Sequence, residues 1–145
     1  MNPIDIVIMA AGKGTRMKSR LPKVLQRLAG RPLLPHVLGQ ASALGARSAI
    51  VVTGHGAMEV EAACAGAISA GGQFDLKFVR QEPQLGTGHA VQQAAPLLQD
   101  DGTVLVLSGD VPLTQPATVR ALVQACADEA LALLTVRLPD PKGYG

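Results

Sequence analysis

Aromatic side chains are almost missing from this chain: two phenylalanines, one tyrosine and no tryptophan in 145 residues. That scarcity argues against a single-stranded nucleic-acid platform, which needs exposed rings for bases to stack on. It also requires the core to be aliphatic. Cysteine is scarce too. Cys64 and Cys126 fall in helix-like segments without framework spacing, so they read as small buried apolar residues in a reducing compartment, not as a disulfide scaffold. No apolar run reaches the roughly 18 residues that a membrane span requires, and MNPID is not the basic start of a secretory signal. The expectation is a soluble, cytoplasmic protein.

Acids are nearly absent from the first part of the chain. Residues 1–58 hold eight bases against one acid, Asp5, whereas the rest holds five bases against ten acids. Five of the early bases (Lys13, Arg16, Lys18, Arg20 and Lys23) crowd beside a glycine loop. Such a local cluster suits a small polyanion better than a nucleic-acid surface, which spreads charge over a face. A solvated charged loop stays open as the plainer reading. Hydrophobic residues at 48% and charged residues at 17% argue against disorder, and the length suits one domain with one core.

Five short apolar runs rich in β-branched residues read as strands: Asp5–Met9, Ser48–Thr53, Leu76–Arg80, Thr103–Ser108 and Leu131–Arg137. Helical spacing fills the intervals at Leu33–Leu44, Met58–Ala65, Thr87–Leu98 and Pro116–Cys126, the last opening on a proline suited to a first turn. AGAISAGGQ, residues 65–73, reads as a flexible loop. From the second strand onward, strand starts recur every 27 or 28 residues, as βαβ units do. Continuous apolar strands imply a parallel sheet covered on both faces. The fold class is therefore α/β: a doubly wound, mostly parallel, Rossmann-like sheet.

Ligands of such sheets bind beyond the carboxyl ends of the strands. Three unusual segments fall there: MAAGKGTRM after the first strand, QEPQLGTGHA after the third and SGDVPL after the fourth. The first is not a Walker A loop, because Gly12-Lys13-Gly14-Thr15 lacks that spacing. Nor is it a dinucleotide fingerprint: Met17 replaces the third glycine, and Val51-Val52-Thr53-Gly54 offers no acid for a ribose. What remains is a loop whose glycines turn backbone N–H groups toward an anion, with Thr15, Lys13, Arg16 and Lys23 adding a hydroxyl and charge. A tight turn with solvated flanks is the competing explanation. Asp110 follows a buried strand and a glycine, and one well-placed carboxylate is what Mg2+ needs beside phosphate oxygens. It reads equally well as a turn or cap residue. Gln81 offers a donor and an acceptor suited to a nucleobase edge, and Gly86-Thr87-Gly88 opens a helix, where Thr87 also fits an ordinary N-cap. His36, His55 and His89 sit on separate elements without metal-ligand spacing; His36 reads as a helix-face residue, while His55 and His89 fit a cleft lining. No Ser-His-Asp set or carboxylate pair is present.

Taken in order, AAGKGTRM with LPKVL, QLGTGHAVQQAAP, GDVPL and the terminal GYG resemble the sugar nucleotidyltransferases. More narrowly, the chain resembles the uridylyltransferase domain of the bacterial bifunctional N-acetylglucosamine-1-phosphate uridylyltransferase and glucosamine-1-phosphate acetyltransferase. The first motif is shared across sugar and cytidylyl transferases, and QLGTGHA carries the narrower likeness. The resemblance implies that Met9, Ala10, Ala11 and Gly12 contact the nucleotide through backbone groups, with Met9 where the family usually has Leu. It implies that Arg16 and Lys23 act on the phosphates, Arg16 stabilising charge on the transferred group. Gln81, Gly86 and Thr87 would read uracil, and Ser108, Gly109 and Asp110 would lie along the ribose and metal, with Asp110 binding Mg2+. Gly145 would approach the sugar. Ser108 departs from the aromatic residue found there in some members.

The implied reaction joins UTP and N-acetylglucosamine 1-phosphate into UDP-N-acetylglucosamine and pyrophosphate, for cell-wall precursor synthesis. The resemblance also implies that residues 1–145 are the nucleotide-binding half of the domain, truncated before a second metal ligand, the sugar-holding residues and a left-handed β-helix with acetyltransferase activity. Trimers in the family form largely through that β-helix. The expectation for the piece alone is weak UTP binding without turnover. Two alternatives stay open: a nucleotidyltransferase for another base or sugar, and a non-catalytic nucleotide-binding module.

Overall fold

The computed structural model describes residues 2–14, 17–68, 73–126 and 131–143. Strand β1 (Ile4–Met9) is the central element, and its alternation builds two layers at once. Ile4, Ile6 and Ile8 join one buried cluster, while Val7 joins another on the opposite side. A strand covered on both faces has no use for polar alternation, which is why IDIVIM reads as nearly continuous apolar sequence. Each fully buried Ile or Val of this kind contributes roughly 1.5–3 kcal/mol.

A tight hairpin follows the basic loop: β2 (Arg27–Leu28) pairs antiparallel with β3 (Arg31–Pro32). Ala29 and Gly30 turn it with φ of 51° and 77°, the left-handed geometry of a two-residue hairpin turn. Then come α1 (Leu33–Leu44), β4 (Ser48–Thr53), α2 (Ala57–Ile68), β5 (Asp75–Arg80), α3 (Thr87–Ala94), β6 (Thr103–Ser108) and α4 (Pro116–Ala125). The four long strands form one sheet in the order β5-β4-β1-β6, with every pairing parallel. Helix α1 buries Leu34, Val37, Leu38 and Ala41 and stops at Gly45, whose φ of 64° supplies the left-handed cap. Val60 and Cys64 of α2 and Val119 of α4 share the α1 face, whereas Ala90 and Ala94 of α3 cover the other. Among the described residues no helix is long and apolar enough to cross a membrane.

The winding creates the crevice. The chain steps outward from β1 to β4 to β5, and α3 then carries it across the opposite face to β6 on the far side of β1. Met9 and Ser108 are paired in register, and the segments that follow them bound a gap beyond the strand ends. At the other end of these strands Asp5 is buried, and it is held by Arg47 Nε at 3.1 Å and by the Ser48 hydroxyl at 2.6 Å. A buried carboxylate is tolerated because it is paired and hydrogen-bonded.

Four expectations change. Residues 131–137 are not a strand: the segment is irregular, with Leu131, Leu133, Leu134 and Val136 exposed. β-propensity alone does not make a strand, because the backbone must enter a ladder, and this segment pairs with no described strand although the outer edge of β6 is open among the described residues. The helix expected to reach Leu98 ends at Ala94 and tightens into a short 3-10 turn over Ala95–Leu97, where Pro96 cannot donate an α-helical bond. Helix α2 extends past Ala65 to Ile68, so the start of the expected 65–73 loop is helical, and residues 69–72 of it lie outside the described set. The β2–β3 hairpin was not expected at all, since strands of two residues carry no periodicity.

Candidate nucleotide-binding cleft

Beyond the carboxyl ends of β1, β5 and β6 lies a cleft of about 330 Å3 lined by loop, strand-end and helix-start residues. Met9, Ala10, Ala11 and Gly12 form its floor on one side, and Gln81, Gly86 and Thr87 rise opposite. Lys23, Ser108 and Asp110 close the third side. The three segments singled out by position along the chain therefore meet in one cavity. Of the other expected site residues, Thr15, Arg16 and Gly145 lie outside the described residues. Gly109 lies beneath the cleft instead of lining it. A Cβ there would stand 3.0 Å from the Met9 carbonyl and 3.1 Å from Val24, so this glycine lets β6 pack against the loop after β1.

The glycine loop divides its backbone groups between scaffold and cleft. The Ala10 N–H donates to the Val52 carbonyl at 2.9 Å, and the Ala11 carbonyl accepts from the His55 N–H at 3.2 Å. Among the described residues, the N–H groups of Ala11 and Gly12 have no partner. Successive unpartnered N–H groups at a cleft form an anion-receptive concavity. Gly14 completes the turn with a φ of 59°, and its missing Cβ makes room for Lys23, whose own Cβ would lie 2.8 Å away.

Lys23 arrives from a 3-10 turn over Lys23–Leu25, anchored by buried Val24 and Leu25. Its Nζ lies 2.5 Å from Asp110 Oδ2, with the side chains 44% and 26% exposed. This pair joins the basic loop region to the loop after β6 and places one cation and one anion at the cleft mouth. Among the described residues there is no cluster of three or more His, Cys, Asp or Glu side chains able to hold a metal by themselves. The donor set still fits Mg2+ in one mode: a single carboxylate, Asp110, supplemented by phosphate oxygens of a ligand and by water.

The opposite wall is held by its own hydrogen bonds. Gln81 extends β5 by one rung through its N–H to the Thr53 carbonyl at 2.8 Å, and only 4% of the residue is exposed. Its Nε2 donates to the Gly86 carbonyl at 2.9 Å and lies 3.0 Å from His89 Nδ1. Gly86, with φ of 100°, is the residue that caps α3, so Thr87 is the first helical residue and not the cap. The cap makes no side-chain hydrogen bond, which leaves first-turn N–H groups of α3 open toward the cleft.

Lys13 and His55 fall elsewhere, in a more polar groove of about 580 Å3 that shares Gln81 and Gln84 with the cleft. His36 is the helix-face residue expected, bonded through Nε2 to the Leu28 carbonyl at 3.0 Å. Val24, Gln84 and Ala90 line the cleft without having been singled out. Gln84 shares a segment with Gln81 and was legible in principle. Val24 and Ala90 look like core residues, and only their position at the rim distinguishes them.

Comparison with known proteins agrees with this geometry. Residues 6–141 match the MobA-like NTP transferase domain. The chain is 79% identical over 145 residues to the bifunctional protein GlmU of Acidovorax sp. (strain JS42), covering all of this chain and 30% of that protein. Against the bifunctional protein GlmU of Polaromonas naphthalenivorans (strain CJ2) it is 68% identical over 145 residues, with coverage of 100% and 31%. The chain thus spans about a third of the length of these relatives. Among solved structures, a nucleotidyl transferase from Methanothermobacter thermautotroptrophicus superposes with a TM-score of 0.69 at 29% identity, over 86% of this chain and 58% of that one. A parallel sheet in the order β5-β4-β1-β6, a glycine loop at its switch point and a match over nearly the whole length lead to one conclusion: the chain belongs to the MobA-like NTP transferase domain family.

Proposed function

We propose that this chain is the nucleotide-binding half of a uridylyltransferase domain that joins UTP and N-acetylglucosamine 1-phosphate into UDP-N-acetylglucosamine and pyrophosphate. The observation that carries the reading is the single cleft uniting the glycine loop, the Gln81–Thr87 wall and the Lys23–Asp110 pair. The 79% identity to a protein named GlmU supports the narrower substrate choice. The longer protein of which such a chain would be part is proposed to be a cytoplasmic homotrimer with a second, acetyltransferase domain.

In this reading the uracil lies against Gln81, Gly86 and Thr87, and the ribose runs past Ser108. The N–H groups of Ala11 and Gly12 and the Lys23 ammonium face the triphosphate. Arg16 stabilises charge on the transferred uridylyl group, and Gly145 approaches the sugar. Asp110 would hold Mg2+, which supplies charge neutralisation for the phosphates. A phosphate oxygen of the sugar phosphate bonds to the α-phosphorus of UTP while the bond from that phosphorus to the bridging β-oxygen breaks, releasing pyrophosphate. The nucleophile is already an anion, so no general base is required. The difficulty is to hold two mutually repelling anions in line, and fixed cations and N–H dipoles address it. That accounts for a site built from glycines, bases and one Asp.

The test is pyrophosphate release by the full-length protein across a panel of nucleoside triphosphates and hexose 1-phosphates. The expected preferred pair is UTP with N-acetylglucosamine 1-phosphate. A different preferred pair would overturn the substrate assignment. Magnesium-dependent UTP binding without pyrophosphate release would make the protein a nucleotide-binding module.

A further inference from the structure

His89 has no place in the chemistry above, yet it is wedged between two glutamine amides. Gln81 Nε2 lies 3.0 Å from its Nδ1, and Gln93 Nε2 lies 3.1 Å from its Nε2. A neutral imidazole has one acceptor nitrogen, so both amides cannot donate to it. The other contacts decide which one does. Gln81 Nε2 is also pinned by the 2.9 Å bond to the Gly86 carbonyl, whereas Gln93 Nε2 has only a 3.4 Å contact with the His89 carbonyl. Turning Gln81 over would set its oxygen against the Gly86 carbonyl. Turning Gln93 over costs one long, weak bond. His89 Nδ1 is therefore the acceptor, and its Nε2–H donates to Gln93 with that carboxamide presenting Oε1.

Both Gln81 amide protons are then occupied, one on Gly86 and one on His89. Its Oε1 has no partner among the described residues, and only Gln40 Oε1 is a fully buried side-chain atom without one. The exposed point of Gln81 is thus a carbonyl oxygen, on a residue that lines both the cleft and the adjoining groove. We infer that His89 is a positioning residue that locks Gln81 with its oxygen outward, so that the cleft selects a base with a ring N–H over one with a bare ring nitrogen. Uracil carries a hydrogen at N3 and cytosine a lone pair. The fixed oxygen accepts from the first and repels the second.

This inference rests on the proposed nucleotide site and deepens it. Its test is a calorimetric comparison of UTP and CTP binding at pH 8 with Mg2+, on the full-length protein. The wild type is expected to favour UTP by tenfold or more. His89→Leu, which removes the Nδ1 acceptor, is expected to reduce that ratio severalfold, mostly by strengthening CTP. His89→Asn restores an acceptor near the Nδ1 position and is expected to recover the ratio, which a merely structural role for the imidazole would not predict. Retention of the full UTP preference by a folded His89→Leu protein would overturn the inference and leave the nucleotide site standing. Equal loss of both ligands in both variants would also overturn it, since that is the mark of a packing role. Absence of binding by either nucleotide to the wild type would overturn the site and the inference together.

Discussion

Removing the Lys23 ammonium separates what the cleft does for folding from what it does for binding. The Lys23–Asp110 pair is short at 2.5 Å, but its partners are 44% and 26% exposed, so water and salt screen it. Exposed pairs of this kind contribute about 0.2–1 kcal/mol, which for a domain of this size is a Tm change of roughly 4 °C or less. The Lys23 Cβ that packs beside Gly14 survives in Lys23→Ala, so the loop keeps its support. Binding is a different matter. A charge-assisted bond to a phosphate is worth about 1.5–3 kcal/mol, equivalent to about 10- to 150-fold in Kd. Lys23→Ala is therefore expected to melt almost like the wild type while losing one to two decades of UTP affinity. Scanning calorimetry and isothermal titration with UTP and Mg2+, run on the same preparations, read the two effects separately. A large fall in Tm with unchanged UTP affinity would refute the reasoning, because the lysine would then be a structural tie and no part of a phosphate site.

The other predictions concern the scaffold. Gly14→Ala must place a side chain at φ of 59° with its Cβ 2.8 Å from that of Lys23; a loss of about 1–2 kcal/mol in chemical denaturation, together with weaker UTP binding, is expected. Asp5→Asn gives up charge-assisted bonds to Arg47 and should cost about 1.5–3 kcal/mol without changing UTP affinity measured on folded protein. The bond from Arg47, opposed by burial and aided by Ser48, holds the Asp5 carboxyl below its ordinary value of 3.8. The stability it confers is thus present above about pH 4 and lost as pH falls below that, and urea midpoints measured against pH should show this loss in the wild type but not in Asp5→Asn. Burial, with a smaller contribution from Glu61, pushes the fully buried Cys64 thiol up to about 12. It should resist Ellman's reagent in the native protein and react on unfolding, and rapid native labelling at Cys64 would contradict the packing described.

The parts of this molecule that were legible beforehand are those written in periodicity. Runs such as IDIVIM and SAIVVT declare buried strands, and the stripe of Leu34, Val37, Leu38 and Ala41 declares α1, because burial on two faces or on one leaves its mark on every residue. The convergence of the glycine loop, QEPQLGTGHA and SGDVPL followed from topology, since loops at the carboxyl ends of parallel strands must approach one another. What stayed hidden depends on partners and not on pattern. Leu131–Arg137 has the composition of a strand but pairs with no described strand. The β2–β3 hairpin is too short to show a period, although Ala29-Gly30 marks its turn. The packing role of Gly109 and the link from His89 to Gln81 arise from contacts between elements, and a single sequence does not record these.

A nucleoside triphosphate is proposed to fill the cleft between Gln81 and the Lys23–Asp110 pair, and a crystal structure of the protein with UTP and Mg2+ is the decisive experiment. Uracil is expected against Gln81 and Gly86, with phosphates beside the Gly12 N–H and Lys23 and the metal on Asp110. Density for the nucleotide in any other place, with those side chains untouched, would contradict it.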